Sequence, residues 1–225
     1  MRPRTMIWLN GCPGAGKSSV GQCLAAIHSR YLVIDAELIG IVTRWFTFSN
    51  KDYQELTIWA YTLRIICRLI MFLGYVPVVP MTILEIRPRQ RIIEYLRGQG
   101  VTVFEVMMVA SHETLESRIT ERGGRCVSWC LRALPRFEDL VPGTVSTIQV
   151  CSEHMASSLI GELIDAMFTK LPTISNLHWP FADLDKCDIF PRSVLDGCCP
   201  CSFVSSVGCL PFHRLTGALA DRLLE

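Results

Sequence analysis

The stretch GCPGAGKS at Gly11–Ser18 decides the fold. It matches the pattern GxxxxGK[ST], which forms a loop around nucleotide phosphates. An apolar run, MIWLN, comes directly before it, and an amphipathic helical pattern follows at once, as the motif requires. Backbone N–H groups of such a loop and the positive end of the following helix attract phosphate oxygens. The stretch therefore predicts a nucleotide-binding loop rather than an ordinary glycine-rich turn.

Two side chains of the loop carry specific chemistry. Lys17 is expected to reach the β- and γ-phosphates, and the Ser18 hydroxyl is expected to be a ligand of Mg²⁺. The residues predicted to bind the nucleotide are Gly11, Cys12, Pro13, Gly14, Ala15, Gly16, Lys17, Ser18 and Ser19.

Composition excludes several classes of protein. Of 225 residues, 50% are hydrophobic and 19% are charged, as in a globular domain. The formal net charge of +1 predicts no broad electrostatic field for nucleic acid or an anionic membrane. The apolar run Met6–Leu9 is too short for a signal peptide, and Leu69–Leu84 is too short to span a bilayer. We expect a cytoplasmic protein with reduced cysteines, either soluble or peripheral to a membrane.

Five short, Val/Ile-rich runs have the composition of strands buried on both faces of a parallel sheet. They are Thr5–Leu9, Tyr31–Ile34, Tyr75–Val79, Val101–Val109 and Thr147–Val150. Helical patterns separate or follow them at Lys17–Ser29, Tyr53–Leu73, Arg87–Arg97, His112–Arg122 and Glu153–Phe168. This alternation predicts an α/β fold with right-handed βαβ units in an open, doubly wound sheet.

Asp35 is the predicted catalytic carboxylate. It closes the second strand run, and ligands bind at the carboxyl edge of open α/β sheets. Two roles fit this position: a group that orients or deprotonates an acceptor, and an N-cap for a helix over Ala36–Phe46. The third strand ends VVPMT, with no carboxylate before Glu85, which argues against a motor-type ATPase and favours a small-molecule kinase.

Arginines form a second group. Arg118 and Arg122 are four residues apart and share a helix face. The pair Gly123-Gly124 then permits a hinge, which predicts a short lid over about 123–136 that clamps phosphates on closure. The alternative is an ordinary helix end whose cations complement the helix dipole. Arg44 is a further candidate for holding an anionic or polar acceptor.

The chain resembles the bacterial tunicamycin resistance proteins. The resemblance lies in IWLNGCPGAGKSS, VIDAELIG, VVPMTI and VFEVMMVASHETLESRITER, and covers roughly three quarters of the chain. It implies a three-layer P-loop NTPase fold with five parallel strands in the order 2-3-1-4-5, and ATP with Mg²⁺ as cofactors. It also implies resistance to a nucleoside antibiotic such as tunicamycin, with Asp35 facing the acceptor. By analogy with related kinases, Arg118 is expected to pack on adenine and Arg122 on the phosphates. Family members are associated with membranes in part through a C-terminal segment, which this chain matches poorly.

The predicted domain organisation has two parts. Residues 1–171 form the kinase-like domain, and residues 172–225 form an irregular, Pro/Cys-rich extension. The extension also offers possible zinc ligands in Cys198, Cys199, Cys201, Cys209 and His213. A zinc site there is disfavoured, because their spacing is irregular and does not contain two C-x2-C pairs.

Two functions from different classes stay open. One is an ATP-dependent phosphotransferase with Lys17, Asp35 and Arg122 as its catalytic residues. The other is an ATP-binding protein that sequesters its antibiotic without modifying it. They differ in what happens to the acceptor and not in the phosphate loop.

Overall fold

The computed structural model describes residues 4–48, 53–83, 85–124, 126–141 and 148–170. Its strands are β1 Thr5–Gly11, β2 Tyr31–Val33, β3 Val76–Pro80, β4 Thr102–Val109 and β5 Ile148–Cys151. Its α-helices are α1 Lys17–Ile27, α2 Ala36–Thr47, α3 Thr57–Phe72, α4 Ile86–Arg89, α5 Tyr95–Gly98, α6 His112–Arg122, α7 Val127–Leu140 and α8 Ser157–Lys170. A 3₁₀ turn at Tyr53–Glu55 precedes α3, and a π-helical turn at Gln90–Glu94 joins α4 to α5.

The five strands are all parallel and lie in the order β2-β3-β1-β4-β5, which confirms the predicted fold. Successive side chains of β1 point to opposite faces of the sheet and pack in two separate hydrophobic cores. Ile7 and Leu9 face the side covered by α1, α6, α7 and α8, whereas Met6 and Trp8 face the side covered by α3 and the helix over 86–98. Burial on both faces explains why the strand runs lack polar alternation.

Some boundaries differ from the sequence expectation. The helix predicted over Tyr53–Leu73 is divided at Leu56, whose backbone is extended with ψ 120°. The last helix begins at Ser157 instead of Glu153, because residues 152–156 form a loop after β5. The expected extension over 172–225 and its cysteines lie outside the described residues, so the division into two parts stays a prediction.

Edge strand β2 is bound to α8, the last helix of the described chain. The Tyr31 hydroxyl donates to Asp165 Oδ1 on α8 at 2.5 Å. The Tyr31 ring also meets Phe168 edge-on, with the ring centroids 6.0 Å apart. Burial and this hydrogen bond raise the pKa of Tyr31 above its ordinary range. Helix α8 therefore stabilises the edge strand as well as packing along α1.

A buried ion pair connects β4 to the helix over 86–98. Glu105 is fully buried, and its carboxylate accepts from Arg89 Nε at 3.2 Å and from Arg89 Nη2 at 2.7 Å. Arg97 Nη2 lies 3.5 Å from the same carboxylate. The two guanidinium groups balance a carboxylate that would otherwise be very costly to bury.

We expect Glu105→Ala to lower the free energy of unfolding by about 3–5 kcal/mol, because it leaves the Arg89 guanidinium without its buried counter-charge. Chemical denaturation measures this. Glu94→Ala is a matched control, since the half-exposed Glu94 pairs with the same two arginines and should cost below about 1 kcal/mol. Equal losses in the two variants would show that the buried pair does not stabilise the fold.

Candidate functional site

The phosphate loop is shaped by three glycines with positive φ. These angles are 135° at Gly11, 85° at Gly14 and 87° at Gly16, a region that residues with side chains rarely adopt. Gly11 also lies against β4, and a Cβ there would stand 2.2 Å from the Met108 carbonyl oxygen. The loop therefore requires glycine at its first position for space as well as for backbone conformation.

Helix α1 begins at Lys17 with its N-terminus open to an anion. The N-cap is Gly16, which offers no side-chain cap, and the first turn contains no acidic residue. Ser18 and Ser19 are exposed in this turn. The free N–H groups and the dipole of this eleven-residue helix thus point at the loop, as phosphate binding requires.

Lys17 is buried and bound to the loop. Its Nζ donates to the carbonyl oxygens of Gly11 at 2.9 Å and Cys12 at 2.7 Å. Burial lowers the pKa of Lys17 to about 8 from an ordinary value of 10.5, and the nearby Arg122 charge lowers it further, whereas Glu37 opposes the shift. A phosphate near this ammonium would favour its charged form.

Cys12 behaves as a small apolar residue in the loop. Its side chain is buried, and burial raises the pKa of its thiol to about 11. A buried thiol with a raised pKa packs as a small hydrophobic group, as expected for Cys12.

A polar clamp, formed by Asn10 and Thr82, joins the loop to the segment after β3. Asn10 Nδ2 donates to the Ile83 carbonyl at 2.7 Å, and its Oδ1 accepts from Ile83 N–H at 2.9 Å. Thr82 Oγ1 donates to the Gly11 carbonyl at 2.9 Å. Neither residue was predicted from the sequence, where the signal for Asn10 is a polar residue at the end of an apolar strand.

Asp35 lies at the same edge of the sheet as the phosphate loop, as predicted. Its Oδ1 accepts from Leu38 N–H at 2.9 Å, so the side chain caps α2. The residue is exposed, and among the described residues Oδ2 has no hydrogen-bond partner. The capping role is thus observed, while the acceptor role stays a prediction.

Helix α2 carries two further charges. Glu37 lies in its first turn close enough to Lys17 to oppose the lowering of that pKa. Arg44 lies exposed in the last turn. The approach of Glu37 to Lys17 depends on how α2 leaves the sheet, so no local sequence pattern reveals it. Arg44 as an acceptor-binding residue stays a prediction.

The two arginines of α6 have separate surroundings. Arg118 Nη2 donates to the carbonyl oxygens of Ser152 at 2.8 Å and Glu153 at 3.2 Å, in the loop after β5. Arg122 Nη2 approaches Cys130 Sγ of α7 at 3.6 Å. Of the two, Arg122 is the one whose charge reaches Lys17. Their predicted contacts with adenine and phosphate are not tested by these observations.

The described part of the predicted lid is largely helical. Helix α7 buries Cys130 and Leu134 against the core that contains the phosphate loop. Arg136 forms an ion pair with Glu85, which follows β3. Whether residues 123–136 move as a lid stays a prediction.

A further contact holds α7 against the start of α6. His112 Nδ1 lies 2.9 Å from Glu138 Oε2, and this hydrogen bond raises the pKa of His112 above its ordinary value. Glu138 was not predicted from the sequence, because its partner His112 is 26 residues away.

The described residues contain neither a cluster of metal ligands nor a membrane-spanning helix. In these ranges, three or more His, Cys, Asp or Glu side chains do not gather as a metal site. None of the helices in the described part of the chain has the length and apolar character to cross a membrane.

The sheet order, the phosphate loop and the flanking helices define a P-loop kinase-like fold. Residues 6–127, more than half of the chain, match the family model described as the AAA domain. The chain therefore belongs to this P-loop family. A comparison with curated protein sequences gives no match.

Solved structures show the same fold at low sequence identity. A tunicamycin resistance protein from Deinococcus radiodurans is 20% identical with a TM-score of 0.57, covering 74% of this chain and 96% of that one. A gluconokinase from Sinorhizobium meliloti 1021 is 20% identical with a TM-score of 0.55, covering 76% and 95%. A shikimate kinase from Acinetobacter baumannii, in complex with shikimate, is 17% identical with a TM-score of 0.53, covering 76% and 96%.

We expect Gly11→Ala to destabilise the protein by about 2–6 kcal/mol, from backbone strain plus the clash with the Met108 carbonyl. The control is Gly100→Ala. Gly100 has φ 74°, but nothing lies within 4 Å of its added Cβ, so only about 1–2 kcal/mol of strain is expected. Denaturant titration compares the two. A loss at Gly11 no larger than at Gly100 would contradict the close approach to β4.

The lowered pKa of Lys17 makes stability depend on pH. Between pH 8 and 10.5 the unfolded lysine holds its proton and the folded one has lost it, so unfolding takes up a proton in this window. The free energy of unfolding of the wild type, relative to Lys17→Met, should therefore rise by on the order of 3 kcal/mol as the pH increases through it. Parallel denaturation of both proteins measures the difference, and a constant difference would show that Lys17 has an ordinary pKa.

Proposed function

We propose that this protein is an ATP-dependent phosphotransferase that acts on a hydroxyl group of a small molecule. The observation that carries the proposal is the arrangement of the carboxyl edge of the sheet. The buried ammonium of Lys17 and the open N-terminus of α1 lie there. The exposed carboxylate of Asp35 lies after β2, which is separated from β1 in the sheet by β3. Together they offer a place for phosphates and a group that accepts a proton.

The residues present fit a nucleotide with Mg²⁺. The positive φ angles of the loop glycines turn backbone N–H groups inward, and Lys17 supplies a positive charge that is already desolvated. Ser18 presents an exposed hydroxyl in the first turn of α1, where it would hold Mg²⁺. Bound ATP would supply the phosphoryl group that is transferred.

The chain's own residues have separate tasks in this proposal. Lys17 and Arg122 provide positive charge where negative charge accumulates, and α7 excludes water above the loop. Asp35 Oδ2 accepts the proton of the attacking hydroxyl, while Oδ1 continues to cap α2. Arg44 and Arg118 would position the acceptor and the adenine, respectively.

The acceptor we favour is a nucleoside antibiotic such as tunicamycin, or a similar molecule. The shared sequence segments noted above support this choice. The fold comparisons support small-molecule acceptors more broadly, since the similar structures include a gluconokinase and a shikimate kinase. A cytoplasmic location with peripheral membrane contact belongs to the same proposal.

A second candidate function is sequestration of the antibiotic without modification. One observation favours it: Asp35 already serves as a helix cap, so its presence alone does not require a catalytic role. Mass spectrometry after incubation with Mg·ATP and tunicamycin separates the two. A phosphorylated product supports the transferase, whereas stoichiometric binding with no product supports sequestration.

The double role of Asp35 allows a sharp test. Asp35→Asn keeps an oxygen that caps α2 but removes the base, so kcat should fall by about 10²–10⁴-fold with stability and ATP affinity nearly unchanged. Asp35→Ala also removes the cap and should cost a further ~0.5–2 kcal/mol of stability. Turnover, ATP titration and thermal unfolding are measured on both variants. Full activity of Asp35→Asn would remove Asp35 from the mechanism.

A further inference from the structure

A groove, which we call the basal groove, lies at the opposite edge of the sheet from the phosphate loop. It has a volume of about 350 Å³, and its lining includes Arg4, Arg68, Leu69, Phe72 and Val101. Residues 4 and 101 directly precede β1 and β4, whereas the phosphate loop follows β1. The six steps from Thr5 to Gly11 of β1, at ~3.3 Å each, place the groove about 20 Å from the loop. It is therefore separate from the nucleotide site.

The groove has an apolar floor and wall. Val101 is buried, whereas Ile65, Leu69 and Phe72 of α3 are 47%, 55% and 84% exposed. Apolar area left in water costs about 25 cal/mol per Å², so covering these side chains is favourable. The volume lies at the lower end of the range for small-ligand sites, about 300–1,000 Å³. The groove thus suits one slender apolar group.

The apolar wall continues along α3 beyond the groove. Ile58 and Tyr61 are exposed on the same helix face as Ile65, Leu69 and Phe72, at spacings of three and four residues. Fourteen residues at 1.5 Å each make this strip about 21 Å long. An extended hydrocarbon chain matches this shape better than a compact ring does.

The positive charge of the groove indicates that its ligand carries an anionic end group. Arg4 and Arg68 both line the groove, and none of its lining residues is acidic. In the described ranges neither arginine has an ion-pair or hydrogen-bond partner for its guanidinium. Helix α3 contains no acidic residue at all. Two guanidinium groups beside an apolar wall, in a groove without an acidic lining residue, are complementary to a carboxylate or phosphate on an alkyl chain.

We propose that the basal groove binds one anionic single-chain amphiphile, with the anion between Arg4 and Arg68 and the chain along Ile65, Leu69 and Phe72. This inference does not depend on phosphoryl transfer. It assigns a ligand class to a surface that the proposed function leaves unused.

The test is calorimetric titration of the full-length chain with decanoate below its micelle concentration. We expect one molecule per chain. Arg68→Gln and Phe72→Ser should each weaken binding by about tenfold, because each removes one of the two kinds of contact. Arg87→Gln is the matched control: Arg87 is an exposed arginine outside the groove, and its removal should change the affinity less than twofold. Thermal unfolding checks that every variant is folded.

Three comparison ligands separate the sources of binding. Weaker or absent binding of 1-decanol and of inorganic phosphate supports the proposal, since each lacks one half of the amphiphile. Equal affinity for either one overturns it, as does an unchanged affinity in Arg68→Gln. Binding confined to phosphatidylglycerol vesicles, with none to monomeric decanoate, also overturns it and would instead make this face a bilayer-docking surface. ATP titration of the same variants keeps this result separate from the proposed function.

Discussion

Gly11 is the residue on which the rest of the site depends. Its carbonyl oxygen accepts from both Lys17 Nζ and Thr82 Oγ1, and its N–H donates to Asn10 Oδ1. Its missing side chain lets β1 end against the Met108 carbonyl of β4. Strand β1, the segment after β3, strand β4 and helix α1 thus meet at one peptide unit. A shift of this unit would move the lysine and the loop together.

The hydrogen bonds of Lys17 also explain how a cation is kept in a buried position. Two carbonyl oxygens partly replace the water that the ammonium loses, yet burial still dominates and lowers its pKa. The loop is therefore held in shape by the same side chain that would attract a phosphate. Preorganisation of this kind reduces the reorganisation needed when an anion arrives.

Sequence was sufficient where the signal was local. The loop, the five strands and the order of the sheet follow from apolar runs, glycines and a family resemblance, because buried parallel strands have a distinctive composition. The capping role of Asp35 was also visible, since an N-cap and its helix are adjacent in the chain.

Long-range contacts were not predictable from sequence. Glu105 looks like an isolated charge within an apolar run, and only the docking of the helix over 86–98 supplies Arg89. Arg136 and Glu85 are 51 residues apart, so no local pattern connects them. The helical form of α7 was missed for a different reason. The Gly123-Gly124 pair before it and the internal Pro135 favour an irregular segment, whereas burial of Leu134 against the core stabilises a helix.

The bond between Tyr31 and Asp165 has a consequence for synthesis on the ribosome. The two residues are separated by 134 positions, which at ~5–20 residues per second takes about 7–27 s to translate. In the later part of that interval, after Val76–Pro80 has been made, the edge strand has its β3 neighbour but not the helix that covers it. The apolar surface around Tyr31, and around Phe104 once β4 has been made, therefore stays uncovered in the nascent chain until Phe168 of α8 is made.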